Sequence, residues 1–229
     1  MKITKLKITR ENKTLVDIHF TISKSLALVG QSGSGKSLTL KAFLHMLPSP
    51  MKQELILDAS YDLELGQSVS FVPQNPFTAL SPLTKIEKQF FVSKNKQKKL
   101  FEQVGLDTSL LQRFPPELSG GQLQRVVIAM ALECNPKLIL LDEPTTALDP
   151  KTKGVILNLL KNVQNELGFQ MLFVTHDINS VKDLCEDICV IKDGLVVENG
   201  KMSDVLANPH ATYTKMLIEA NFANREFRK

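Results

Sequence analysis

The stretch GQSGSGKS, residues 30–37, fits the phosphate-binding pattern GxxxxGK[ST]. Gly30, Gly33 and Gly35 free the backbone, so that N–H groups of the loop, through Gln31, Ser32 and Ser34, can wrap phosphate oxygens. Lys36 reaches the terminal phosphates, and Ser37 offers a hydroxyl to Mg²⁺. Four fixed positions match by accident in roughly one such chain in a hundred; a flexible glycine-serine turn is the plain alternative. A second anion-type feature lies in PPELSGGQLQR, residues 115–125. There Ser119 supplies a hydroxyl, Gly120 and Gly121 remove side chains, and the apolar run from Val126 to Leu132 marks a helix starting behind them. N–H groups at a helix start, aided by its dipole, attract anions. One chain with two such features needs an explanation.

Asp142 and Glu143 close the apolar run LILL and so fall at the carboxyl end of a strand, the edge at which open α/β sheets bind ligands. Beside a phosphate loop, Asp142 is placed to hold Mg²⁺ directly or through water, and Glu143 to polarise the water that attacks a γ-phosphate. Gln74 follows the strand-like SVSFVP and His176 follows MLFVT, which puts both at the same kind of edge. A lone histidine is usually structural; His176 is singled out because Lys36, Asp142 and Glu143 are expected to share its crevice. The other histidines have no such company.

The elements that must carry these residues read as an alternation. Val16, Ile18, Phe20 and Ile22 alternate with polar residues as in a strand with one wet face, and KITKLKI at 2–8 is a weaker strand before it, joined by a turn at Arg10 to Lys13. SLALVG at 25–30, LILLDE at 138–143 and MLFVTH at 171–176 are continuous apolar runs, the signature of strands covered on both faces. Helices are expected over Ser37–Leu47, Gln122–Cys134 and Lys151–Leu167, the last with Asp149 as N-cap and Pro150 at the first helical position. Alternating strands and helices imply a mainly parallel wound sheet. The polar, lysine-rich stretch from about Asn75 to Gly121 reads as a helical insertion, VIKDGLVVENG as a hairpin turning at Asp193 and Gly194, and Thr212 to Ala220 as a last helix.

With 229 residues, 43% of them hydrophobic, the chain can bury a substantial core as one large domain or two small ones. A net charge of +4 is too small to argue for nucleic acid. The basic KNKQKK at 94–99 has no interleaved aromatic platform and reads as a solvated helix face. Cys134, Cys185 and Cys189 lack a CxxC spacing; Cys185 and Cys189, four apart, could share a helix face as buried thiols. The N-terminus lacks a signal-peptide pattern and no run approaches the roughly 20 apolar residues that span a bilayer, so the chain is expected in the cytosol.

The order of phosphate loop, Gln74, LSGGQ at 118–122, LLDEP at 140–144 and His176 resembles the ATPase subunits of ABC transporters over nearly the whole chain. The resemblance implies one ABC ATPase domain over 1–229, an α/β P-loop NTPase of RecA-like type. Its mainly parallel sheet carries an N-terminal antiparallel β subdomain, with an α-helical subdomain inserted at approximately 75–121. It also implies why there are two anion features. Such subunits pack head to tail, so ATP held by Lys36 and Ser37 of one is closed over by Ser119, Gly120, Gly121 and Gln122 of another. Asp149 matches the loop that crosses the dimer, and its role as a helix cap is compatible with that. Glu143, His176 and Gln74 then form the catalytic set, and Ser37, Gln74 and Asp142 attend Mg²⁺.

Within that family QNPFTALSP at 74–82, PTTALDP at 144–150 and NPHATYTKML at 208–217 look like the oligopeptide, dipeptide and nickel importers. This implies a subunit peripheral to the cytoplasmic face of the inner membrane, powering import of a small solute, peptide or nickel. Its partners would be a second ATPase subunit, identical or paralogous, two transmembrane permease subunits and an extracytoplasmic solute-binding protein. The alternatives are a soluble ABC ATPase or an ATP-dependent regulatory module outside transport. One departure stands out: residues 1–19 contain no aromatic to stack on adenine, so either Arg10 stacks on the base or adenine is held loosely.

Overall fold

A computed structural model describes residues 1–226. In chain order the strands are β1 (Lys2–Arg10), β2 (Lys13–Thr21), β3 (Ser25–Val29), β4 (Lys52–Asp58), β5 (Val69–Val72), β6 (Leu138–Asp142), β7 (Gln170–Thr175), β8 (Asp187–Lys192) and β9 (Leu195–Lys201). The helices are α1 (Lys36–Phe43), α2 (Lys94–Gln103), α3 (Gly120–Ala131), α4 (Pro150–Leu167), α5 (Ile178–Val181), α6 (Met202–Ala207) and α7 (Thr212–Glu226). Contacts divide the chain into two compact units, one of Met1–Leu63 with the chain from Gln170 on, the other of Glu64–Phe169.

In the first unit β1 and β2 form the expected antiparallel pair, turning at Glu11 and Asn12, both at positive φ. Their alternation buries Ile3, Leu6 and Ile8 on one strand and Val16, Ile18 and Phe20 on the other. Phe20 stacks on Phe43 of α1 with ring centroids 6.3 Å apart. β4 adds antiparallel to the free side of β1. Sequence pattern gave no sign of it: its residues alternate only between exposed and half-exposed, as on an edge strand with neither face fully covered. β3 is buried throughout and pairs in parallel with both β7 and β8, which is why SLALV carries no polar alternation. β9 returns antiparallel to β8 through Asp193 and Gly194 at φ 50° and 79°, the positive values a two-residue hairpin of primed type requires. A parallel contact of β9 at Asp17 and Leu195 then joins the antiparallel and parallel parts of this unit.

Two local expectations differ from the structure here. The helix expected over Ser37–Leu47 ends at Phe43, because Leu44 caps it and His45 adopts a left-handed φ of 54°. Cys185 and Cys189 do not share a helix: the first follows α5 and the second lies on β8. Both are buried, and burial pushes their thiols up, that of Cys189 to about 12, so they are inert apolar fillers.

In the second unit β5 and β6 pair in parallel. β6 buries Leu138 to Leu141, and α3 and α4 contribute Leu123, Val126, Ile156, Leu160 and Val163 to the same core. Between Asn75 and Gly121 the chain makes one α-helix, α2, and four 3₁₀ turns, at Pro76–Thr78, Ile86–Gln89, Thr108–Gln112 and Pro115–Glu117. Prolines and Asx caps break this stretch into short turns: Asn75 and Asp107 accept the N–H of Phe77 and Ser109. Phe90 and Phe101, edge to face at 5.8 Å, anchor it. The lysines of α2 lie mostly in solvent, while Gln97 and Leu100 turn inward.

Candidate functional site

The phosphate loop occupies the place its sequence implies, between the carboxyl end of β3 and the start of α1. Gly30 is buried, and a Cβ there would run into the Ile191 carbonyl oxygen and the Ser34 side chain. Gly33 and Gly35 hold φ of 81° and 106°, values that only glycine adopts without strain. Lys36 is 6% exposed. Its Nζ donates to the Gly30 carbonyl at 2.7 Å and the Gln31 carbonyl at 2.9 Å, which fixes the ammonium beneath the loop. The outer wall is tied down as well: Gly194 N–H donates to the Ser34 carbonyl at 3.1 Å, and Tyr213 Oη accepts the Gln31 N–H at 3.0 Å. The N-cap position of α1 is Gly35, so no side chain occupies the amides at this helix start. A caged cation beneath a glycine loop that opens onto a helix N-terminus fits the phosphates of a nucleotide.

His176 belongs to the same unit, and strand register explains its place. Val29 pairs with Thr175 across β3 and β7, so Gly30 and His176 are the next residues beyond two adjacent strand ends. His176 is exposed, and the turn after it is held by the Asp177 N–H donating to Thr175 Oγ1 at 3.0 Å.

In the second unit the register of β5 and β6 brings another pair to one edge. Val72 pairs with Leu141, so Gln74 and the two carboxylates Asp142 and Glu143 leave the sheet at the same end. Glu143 adopts φ 45°, a left-handed conformation rarely taken by a glutamate and a mark of local strain. Thr146 steadies it: its Oγ1 donates to Glu143 Oε2 at 3.0 Å, and its N–H donates to the Glu143 carbonyl at 3.2 Å. Sequence pattern offered no signal for Thr146.

The LSGGQ stretch, residues 118–122, lies in this unit too, and its helix start differs from the expected one. The helix begins at Gly120 rather than Gln122, with Ser119 as its cap. Ser119 Oγ accepts the Gln122 N–H at 3.3 Å while Gln122 Oε1 accepts the Ser119 N–H at 2.8 Å, a reciprocal capping box. The spacing SxxQ carried that signal in the sequence. Gly121 packs on α4 so closely that a Cβ would lie 2.5 Å from Thr152 Cγ2. Asp149 caps α4 as expected, accepting the N–H groups of Lys151 at 3.1 Å and Thr152 at 3.0 Å. Bonding to Thr152 and Lys151 holds the Asp149 carboxyl below its ordinary range. Asp149 and Gly121 are therefore neighbours through Thr152.

Among the described residues no group of three or more His, Cys, Asp or Glu is placed to hold a metal. Each unit by itself carries hard oxygen donors of the kind that suit Mg²⁺, the Ser37 hydroxyl in the first and the Asp142 carboxylate and Gln74 amide in the second.

A lysine-bearing phosphate loop at the end of a buried parallel strand defines a P-loop nucleotide-binding protein of α/β class. Comparison with known proteins narrows this. The family model for "ABC transporter" matches residues 15–146. The oligopeptide transport ATP-binding protein OppD of Bacillus subtilis is 37% identical over 230 residues, 89% of this chain and 64% of its own length. The dipeptide transport ATP-binding protein DppF of Haemophilus influenzae is 34% identical over 230 residues, 91% of this chain and 70% of its own length. Among solved structures, the ATP-binding cassette MJ0796 in a dimeric post-hydrolysis state bound to ADP and Pi superposes with a TM-score of 0.70 at 28% identity, covering 88% of this chain and 98% of that one. The chain belongs to the ABC transporter family and resembles its ATP-binding proteins. It spans 38 to 70% of the length of the curated relatives it matches.

Proposed function

We propose that this chain is an ATPase that powers import of a small solute, with peptides as the first class to test and nickel as a second. The observation that carries the proposal is the caged Lys36 ammonium, two hydrogen bonds deep beneath a loop whose glycine geometry leaves helix amides for phosphate. The oligopeptide and dipeptide transport relatives support the cargo class.

In this reading the loop from Gly30 to Ser37 and the Lys36 ammonium bind the phosphates of ATP. Ser37, Gln74 and Asp142 attend Mg²⁺, which supplies charge neutralisation at the phosphates when bound. Glu143, steadied by Thr146, polarises the attacking water, and His176, next to Gly30 in strand register, contacts the γ-phosphate. Ser119, Gly120, Gly121, Gln122 and Asp149 complete the site of a second copy or a paralogue; the dimeric state of the MJ0796 cassette supports this arrangement. If ATP binds only the closed dimer and stands at 100 times its Kd, each site stabilises closure by about 2.7 kcal/mol. Two sites approach the roughly 5.5 kcal/mol that moves a 1:99 equilibrium to 99:1.

Closure would drive two transmembrane permease subunits, fed by an extracytoplasmic solute-binding protein, from a station peripheral to the membrane. No helix of the described residues is long and apolar enough to cross a membrane. The stretch between Gln74 and Ser119 is proposed as an inserted helical subdomain that meets the permease. Its apolar side chains in solvent, Phe77 at 55%, Leu83 at 89% and Phe91 at 93% exposure, support such a contact.

The test is phosphate release by the purified chain and its Glu143→Gln variant. Removing the base should lower turnover by about 10² to 10⁴ while ATP binding persists. Undiminished turnover in that variant takes the role from Glu143.

A further inference from the structure

The phosphate loop has a contact from the far end of the chain that its motif does not account for. Tyr213, in the first turn of α7, accepts the Gln31 N–H at 3.0 Å. That N–H belongs to the Gly30–Gln31 peptide, whose carbonyl accepts Lys36 Nζ at 2.7 Å. The peptide is trans, so its N–H and C=O point in opposite directions from one rigid plane. Tyr213 thus grips one side of a plate whose other side seats the ammonium. A donated N–H also polarises its own carbonyl and strengthens the bond on the far side.

The phenol is itself located by independent contacts. Lys192, at the end of β8, lies over the Tyr213 ring at 5.2 Å from the centroid. Glu198 of β9 accepts the N–H groups of His210 at 2.8 Å and Ala211 at 3.1 Å, which anchors the chain as it enters α7. Thr214 and Leu217 bury the inner face of that helix. The tyrosine hydroxyl is therefore held by its surroundings rather than by the loop it touches.

We infer that Tyr213 is a positioning residue for Lys36: the C-terminal helix sets the tilt of the Gly30–Gln31 peptide and through it the placement of the phosphate-binding ammonium. A corollary concerns the loop itself. Gln31 N–H faces the phenol, so the phosphate-facing amides come from the later loop residues and the start of α1. Whatever displaces α7 lowers affinity for the nucleotide phosphates without touching them.

This rests on the phosphate-loop reading above, and the test separates the two. Binding of a fluorescent ADP analogue is measured for the full chain, Tyr213→Phe, Lys36→Met and the double variant, with melting temperatures taken without nucleotide. Tyr213→Phe keeps the ring beneath Lys192 and removes only the acceptor. It should weaken binding about fivefold, the worth of one neutral hydrogen bond. In the Lys36→Met background the same change should cost less than about twofold, because the plate no longer seats an ammonium. Equal weakening in both backgrounds, or none in the native one, overturns the inference. Lys192→Met, which leaves the phenol but frees the ring, should weaken binding in the same direction and less, and this variant decides the matter if Tyr213→Phe melts early. Wild-type binding by Lys36→Met would instead remove the phosphate-loop reading itself.

Discussion

The molecule has two glycine-rich helix starts, and they treat their amides in opposite ways. At α1 the cap position is Gly35 in a left-handed conformation, with no side chain to satisfy the amides behind it. At α3 Ser119 and Gln122 satisfy each other's N–H groups before any ligand arrives. The first is built as a receptor, its cation already caged; the second has its Ser119 and Gln122 N–H groups satisfied from within. Similar composition therefore hides different chemistry. The capping box uses one Ser119 lone pair and the Gln122 side-chain oxygen, so what this start would offer the phosphates of a second subunit's nucleotide is the Ser119 O–H, the Gln122 side-chain NH₂, the Gly120 and Gly121 N–H groups and the helix dipole.

Substitutions at the two starts can break or sharpen that contrast. The largest effect is expected from Ser119→Arg, whose bulk should abolish ATP-dependent dimerisation while leaving nucleotide binding by the single chain intact. Sedimentation with ATP and a binding titration read both, and normal dimerisation by the variant would contradict a shared site. Gly30→Ala comes next. Its methyl group meets the Ile191 carbonyl, a backbone atom that cannot swing away, so a loss of about 1–3 kcal/mol in unfolding free energy is expected. Gly33→Ala meets nothing within 4 Å and should cost only the strain of its positive φ, about 1–2 kcal/mol. Ser119→Ala should cost about 1 kcal/mol in chemical denaturation and Ser119→Gly a few tenths, as for any N-cap; equal stability of all three chains would deny the capping box.

The smallest effect is a pH dependence at the neighbouring start of α4. Hydrogen bonds from Thr152 and Lys151 lower the Asp149 carboxyl. The unfolded chain therefore takes up the proton more readily, and this stabilisation is present above the ordinary aspartate value, about 3.9, and fades as pH falls through the lower folded value. The stability gap between wild type and Asp149→Ala should accordingly narrow in acid; a constant gap from pH 7 to pH 2 would show that the carboxylate charge is irrelevant there.

What could be seen in the sequence was whatever depends on near neighbours. Continuous apolar runs located β3, β6 and β7, and the Asp149–Pro150 pair located the start of α4 within one residue, because caps act over two or three residues. β4 escaped because an edge strand whose better-covered face is still half-exposed has only a weak alternation to detect; pairing with β1 makes it a strand. The end of α1 was placed too far along, since the left-handed His45 is set by its surroundings and not by a glycine. In the site, Lys36 and its glycines form a local motif and were legible, as was the strand-end placement of Gln74, Asp142 and His176. The Tyr213 contact to Gln31 was not, because 182 residues separate them. Nor was the Thr146 brace on Glu143, which uses a common residue at a spacing with many meanings.

The pairing of β3 has a consequence for how the chain is made. Both its partners lie late in the sequence: about 140 residues pass between Val29 and Gln170, which at 5–20 residues per second is roughly 7–30 seconds of synthesis. During that interval the fully buried SLALV segment has neither neighbour yet translated, while Glu64–Phe169 is itself still being made. Nascent chains of this protein should accordingly engage chaperones until β8 appears, and truncations ending before Gln170 should be insoluble.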